Sequence, residues 1–170
     1  MTLWFRQLRF KRRCRATLSQ PLGTVSTPAT LLTYFDLLQD PCVQRYQPAK
    51  GLQVEMTVVT RNIIHLSEAL ESAIDTVGSN QTVTTKGLIR RDVQADLRQV
   101  RVDDYLIDHK HLPVSFTEVV HHTHLQLTTL ERVLHQIKEK SEHRYEYYLR
   151  QYTHLFNETH VVLRGFLEAI

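Results

Sequence analysis

Leu52, Met56, Val59, Ile63, Leu66, Leu70, Ala73 and Val77 follow one another at spacings of 4, 3, 4, 3, 4, 3 and 4. Residues three and four apart share one side of an α-helix, so this run predicts one long amphipathic helix with an apolar seam. Gly78 stands just after the last seam residue, where a helix commonly ends. Phe116, Val120, Thr123, Leu127, Leu130, Leu134 and Ile137 repeat the pattern at 4, 3, 4, 3, 4 and 3. This second seam opens with Ser115-Phe116-Thr117-Glu118, a capping box. In that motif the serine hydroxyl accepts from the third amide and the glutamate reaches back to the serine N–H. The two helices come to about 26 and about 24 residues, each roughly 36–39 Å long at 1.5 Å per residue.

The remaining segments are less regular. Thr27-Pro28 is a helix start, and a short helix runs from there to about Gln39, stopped by Asp40-Pro41. Tyr46 to Gly51 reads as a break, and Gly78 to Gly87 as a polar loop. Ile89, Val93, Leu97 and Val100 lie at 4, 4 and 3, which predicts a helix to about Ile107, although Val100 to Asp108 begins with a strand-like alternation. His109 to Pro113 is a turn. Past Lys138 the seam slips by one residue, and apolar positions resume at Tyr145, Tyr148 or Leu149, Tyr152, Phe156, Thr159, Leu163, Phe166 and Ile170. Lys138 to Arg144 contains no Gly or Pro, so the slip fits either a turn or one helix that changes its buried side.

Long amphipathic helices need partners for their stripes. The pattern therefore predicts an all-α fold: an elongated antiparallel helical bundle, or a coiled-coil-like hairpin, built on long heptad-patterned helices. Composition agrees. A chain of 170 residues with 42% hydrophobic and 23% charged residues suits one globular domain, and five glycines and five prolines are too few for a turn-rich β-fold. No apolar run approaches the roughly 20 residues that span a bilayer. Two cysteines, Cys14 and Cys42, stand without zinc-finger spacing and point to a reducing compartment, with a disulfide between them left open. The expectation is a soluble, cytoplasmic protein able to associate with a membrane.

Charge divides the chain. Residues 1–20 hold Arg6, Arg9, Lys11, Arg12, Arg13 and Arg15 and no acid; the other 150 hold 15 basic and 18 acidic groups. A basic arm (1–20) mixed with Leu3, Trp4, Phe5, Leu8 and Phe10 thus precedes a linker (21–27) and a mildly acidic bundle domain (28–170). As a helix the arm is only loosely amphipathic. Four readings fit it. Trp4, Phe5 and the six cations could meet an anionic membrane surface. They could contact nucleic-acid phosphates, a weaker reading. The stretch could be a targeting peptide, or its aromatics could pack on the bundle while the arginines stay solvated.

The candidate chemistry is thin. Glu118, His121, His122 and His124 crowd the start of the second long helix, and Glu118-x-x-His121 has the spacing of carboxylate-bridged metal sites in bundles. No second Glu-x-x-His exists to complete such a site. The heptad also places His121 at b and His122 at c, facing water, with His124 at e on the seam's flank. Tyr145, Tyr148 and Tyr152 share a side and read as core, with Tyr147 outside. Cys14, beside arginines, is expected to have a lowered thiol pKa. Nucleotide-binding glycine loops and nucleophile motifs are absent from the sequence. The resulting expectation is a non-enzymatic interaction or scaffold protein without a cofactor, acting as a homo-oligomer or with a helical protein partner. A metal-binding bundle and a nucleic-acid binder are the alternatives.

Overall fold

The computed structural model describes residues 3–19, 29–44, 50–78, 93–101, 116–139 and 141–170. They form helices α1 (Leu3–Leu18), α2 (Ala29–Leu38), the single turn α3 (Pro41–Gln44) and the long α4 (Lys50–Gly78). Residues 93–101 are helical as well (α5), followed by α6 (Phe116–Lys138) and α7 (Glu142–Ala169). No strand occurs among the described residues. The predicted linker, the loop after Gly78, the 109–113 turn and the Ser115 cap lie outside them, as does the 102–108 stretch whose alternation resembled a strand.

Both seams are buried. Met56, Val59, Ile63, Leu66, Leu70 and Ala73 on α4 are all buried, as are Phe116, Val120, Thr123, Leu127, Leu130, Leu134 and Ile137 on α6. The stripes are wider than the sequence seams. On α4 the covered side takes in Thr60, Ser67 and Ile74, seven residues apart; on α6 it takes in Val119, Gln126 and Val133. Three covered positions per heptad make a helix that faces more than one neighbour, as in a globular bundle.

The contacts fix the directions. Arg144 Nη1 donates to the Ala73 carbonyl (3.1 Å), Tyr148 Oη to the Ala69 carbonyl (3.3 Å), and Asn62 Nδ2 to Glu158 (3.4 Å). Along these bonds α7 descends as α4 ascends. α5 is antiparallel to α4, since Gln94 reaches Asp75 and Arg101 pairs with Glu71 at 2.7 Å. α5 is also antiparallel to α6, through Arg132–Asp96 at 2.7 Å and Gln126 Nε2 donating to the Val100 carbonyl at 3.3 Å. The order is therefore up, down, up, down, the topology of an antiparallel four-helix bundle. α4 and α6, whose seams match, run parallel, and the tight hairpin is α6–α7.

That hairpin resolves the slip after Lys138. Ser141 is extended (φ −160°, ψ 100°), its N–H bonds back to Ile137 (2.9 Å), and its carbonyl starts α7 by accepting from Tyr145 (3.0 Å). The break between Lys138 and Glu142 shifts the phase of everything after it. Tyr152, Phe156, Thr159, Leu163 and Phe166 are buried on α7 as the resumed pattern requires, and Leu155, His160 and Leu167 join them.

A second layer covers one end. α2 ends with bonds from Gln39 to Phe35 and from Asp40 to Leu37 (3.1 and 3.0 Å), and Pro41 opens α3 where its missing N–H costs nothing. Leu31, Tyr34, Leu37 and Leu38 of α2 and Val43 of α3 join the core. α1 packs on α2, α3 and α7. Its buried stripe is Phe10, Cys14 and Thr17, at helical spacing.

Candidate functional site: the outer side of α1

Docking of Phe10, Cys14 and Thr17 against the bundle turns the opposite side of α1 outward. At about 100° per residue, Phe5, Leu8, Arg12 and Arg15 fall on that opposite side, with Arg9 on its flank. Arg6, Arg9, Lys11, Arg12, Arg13 and Arg15 are all exposed. Arg13 approaches Asp40 at 3.8 Å. Among the described residues the other five make no ion pair. Phe5 is 55% and Leu8 37% exposed. The Trp4 side chain lies outside the described part. A cationic surface carrying two exposed apolar side chains is the result.

Beneath it, Cys14 departs from expectation. Its thiol pKa is raised, first by burial and then by the Asp40 carboxylate, which together outweigh the Arg13 cation. The sequence neighbours are arginines, but the helix points them away and points the sulfur inward. Cys14 is a free cysteine, and the Cys42 side chain lies outside the described residues.

The histidines of α6 also depart from expectation. His121 and His122, placed outward by the heptad, are half-buried, and His124 is buried at 6% exposure. For His121 the cover is α2, which packs against α6 and sets Phe35 against the His121 ring (centroids 4.8 Å apart). His124 has a lowered pKa through burial, with a smaller contribution from His121. The Nδ1 atoms of His121, His122 and His124 have no hydrogen-bond partner among the described residues. Glu118 is exposed in the first turn of α6. Among the described residues no three His, Cys, Asp or Glu side chains converge where they could hold a metal ion.

One buried polar pair escaped the sequence reading. Tyr34 on α2, wholly buried, meets His160 on α7: Oη and Nε2 are 3.1 Å apart and the rings cross edge-on. Burial raises the Tyr34 pKa, and burial together with Arg164 lowers that of His160. A protonated phenol and a neutral imidazole share one hydrogen bond here, Oη–H to Nε2 or Nε2–H to Oη according to the imidazole tautomer. The spacing of Thr159, His160 and Leu163 offered a hint, since His160 adjoins a seam position. Its partner lies 126 residues away, beyond any local pattern. The tyrosines fall as expected, with Tyr152 buried, Tyr145 and Tyr148 packed against the core and Tyr147 60% exposed. No helix among the described residues is long and apolar enough to cross a membrane.

No protein-family profile matches the chain, and neither a curated protein nor a solved structure matches it.

Proposed function

We propose that the protein is a non-enzymatic helical interaction module that attaches peripherally, through the outer side of α1, to an anionic membrane surface such as the cytoplasmic leaflet. The observation that supports this reading is the pairing of exposed cations with exposed Phe5 and Leu8 on one solvent-facing side of a helix already anchored by its other side. Cations alone would serve nucleic-acid phosphates equally well. Phe5 and Leu8 favour lipid, because they gain by entering the headgroup boundary while the cations meet anionic lipid at up to about 1 kcal/mol each.

The test is co-sedimentation with phosphatidylserine-containing vesicles at low salt, against phosphatidylcholine vesicles. The expected result is binding to the first alone, lost as salt rises. Arg9→Gln with Arg12→Gln should weaken binding roughly thirty-fold, two such contributions at about 1.4 kcal/mol per tenfold. Phe5→Ser with Leu8→Ser should weaken it without changing its salt dependence. Indifference of the wild-type chain to anionic vesicles would end the proposal. Tight, salt-sensitive retention of DNA that ignores Phe5→Ser would transfer the surface to nucleic acid.

A further inference from the structure

A second surface stands apart from α1. Along the outside of the α4–α7 pair run two adjoining pockets of about 500 and 270 Å³ that share His154 as a wall. Together they form a groove beside residues 55–69 of α4, a span of roughly 21 Å at 1.5 Å per residue. Val59, Leu66, Leu155 and Val162 line its floor. Val58 (48% exposed), Val161 (56%) and Tyr147 (60%) stand in its walls, three of the seven large hydrophobics that the described residues leave exposed. That concentration separates this side from a surface of scattered apolar residues, which calls for no explanation.

Charge indicates what fits. Among the described residues the lining contains no Lys or Arg; its charged side chains are Glu55 and Glu158, with His65 and His154 beside them. Glu158 is held in place by Asn62 (3.4 Å) and His154 (3.4 Å). An apolar groove rimmed by carboxylates, one of them held in place, suits a cationic helix with apolar side chains on one face. The chain itself presents such a helix. The outer side of α1 offers Phe5 and Leu8 flanked by arginines, and at 16 residues α1 is roughly 24 Å long, close to the length of the groove.

We propose that the α4–α7 groove receives the outer side of α1 from a second copy of this chain. The contact sets Phe5 and Leu8 against Val58 and Val161, and the arginines against Glu55 and Glu158. It draws on the same α1 side as vesicle attachment, so the two occupancies exclude one another, but it does not depend on lipid binding.

Sedimentation velocity over a concentration series, without lipid, tests it. The wild-type chain should self-associate, less so as salt rises. Glu55→Lys with Glu158→Lys should abolish association, as should Arg9→Glu with Arg12→Glu, while a mixture of these two variants should associate, because one has a reversed groove and the other a reversed helix. Val58→Asp with Val161→Asp should abolish it in the wild-type background, with circular dichroism confirming that each variant is folded. A chain that remains monomeric throughout the series overturns the proposal, and so does association that persists in the groove variants or is not restored in the mixture. Vesicle binding is read separately at dilute protein. The groove variants should retain it, so loss of self-association leaves the membrane reading standing, and failure to bind vesicles leaves the groove reading standing.

Discussion

The long helices and the N-terminal layer are held by different means. α4, α6 and α7 meet through near-continuous apolar stripes, with Leu70, Leu127, Leu130 and Leu163 wholly buried. Between α4 and α6 the Thr60 and Thr123 hydroxyls pair at 3.0 Å, while the buried Ser67 hydroxyl of α4 has no partner among the described residues. The N-terminal layer docks through fewer anchors and carries titratable groups into the interior: Cys14, and Tyr34 set against His160 of α7. Apolar side chains in such stripes carry no titratable group and respond little to pH. A layer that seals over imidazole and phenol depends on those groups remaining neutral.

Substitutions can break this contrast at either end. Leu130→Ala, at a fully buried site of α6, should cost about 2–5 kcal/mol and lower the urea midpoint for the whole chain in one transition. Tyr34→Phe removes the phenol from His160 and should cost about 1–3 kcal/mol, the penalty for an unmatched buried polar group. Its signature in hydrogen exchange should be local, with α1 and α2 losing protection before α4 and α7. Equal loss throughout would show that the two regions are one cooperative unit.

Gly165→Ala, smaller again, should stabilise the bundle by about 0.5–1 kcal/mol. A Cβ there meets nothing within 4 Å, and glycine weakens a helix relative to alanine.

Acid should separate the regions by direction. His124 and His160 both have lowered pKa values in the folded chain, whereas an unfolded histidine titrates near 6.5. Between the unfolded and folded values the unfolded chain binds more protons. The stability associated with neutral histidine is thus complete above about pH 6.5 and is lost as pH falls below it. Melting temperature should decline from pH 7.5 to 5.5, and His124→Leu should flatten that decline. An unchanged slope in the variant would assign the pH dependence to other groups.

Some features were legible in the chain and others were not, for physical reasons. The seams of α4 and α6 and the tyrosine face of α7 follow from spacing, because a helix maps sequence separation onto direction, and the short α2 follows from its stop at Asp40-Pro41. The turn at Ser141 showed only as a phase slip. An ordinary serine in extended conformation leaves no mark comparable to Gly or Pro, and its side chain makes no cap bond there. The α1 stripe of Phe10, Cys14 and Thr17 was obscured because the outer side also carries Phe5 and Leu8, which spoils amphipathicity as measured within a single helix.

Periodicity is a property of one helix at a time. It was enough to predict an all-α fold, which the described residues show, and which residues form its seams. It could not say which helix lies against which. That choice set α5 antiparallel to both α4 and α6, brought Tyr34 to His160, and laid α2 over the side of α6 that the heptad had assigned to water. Burial, and with it the protonation of His124 and the thiol pKa of Cys14, depends on what covers a residue. The covering residues lie far away in the chain and carry no local signal.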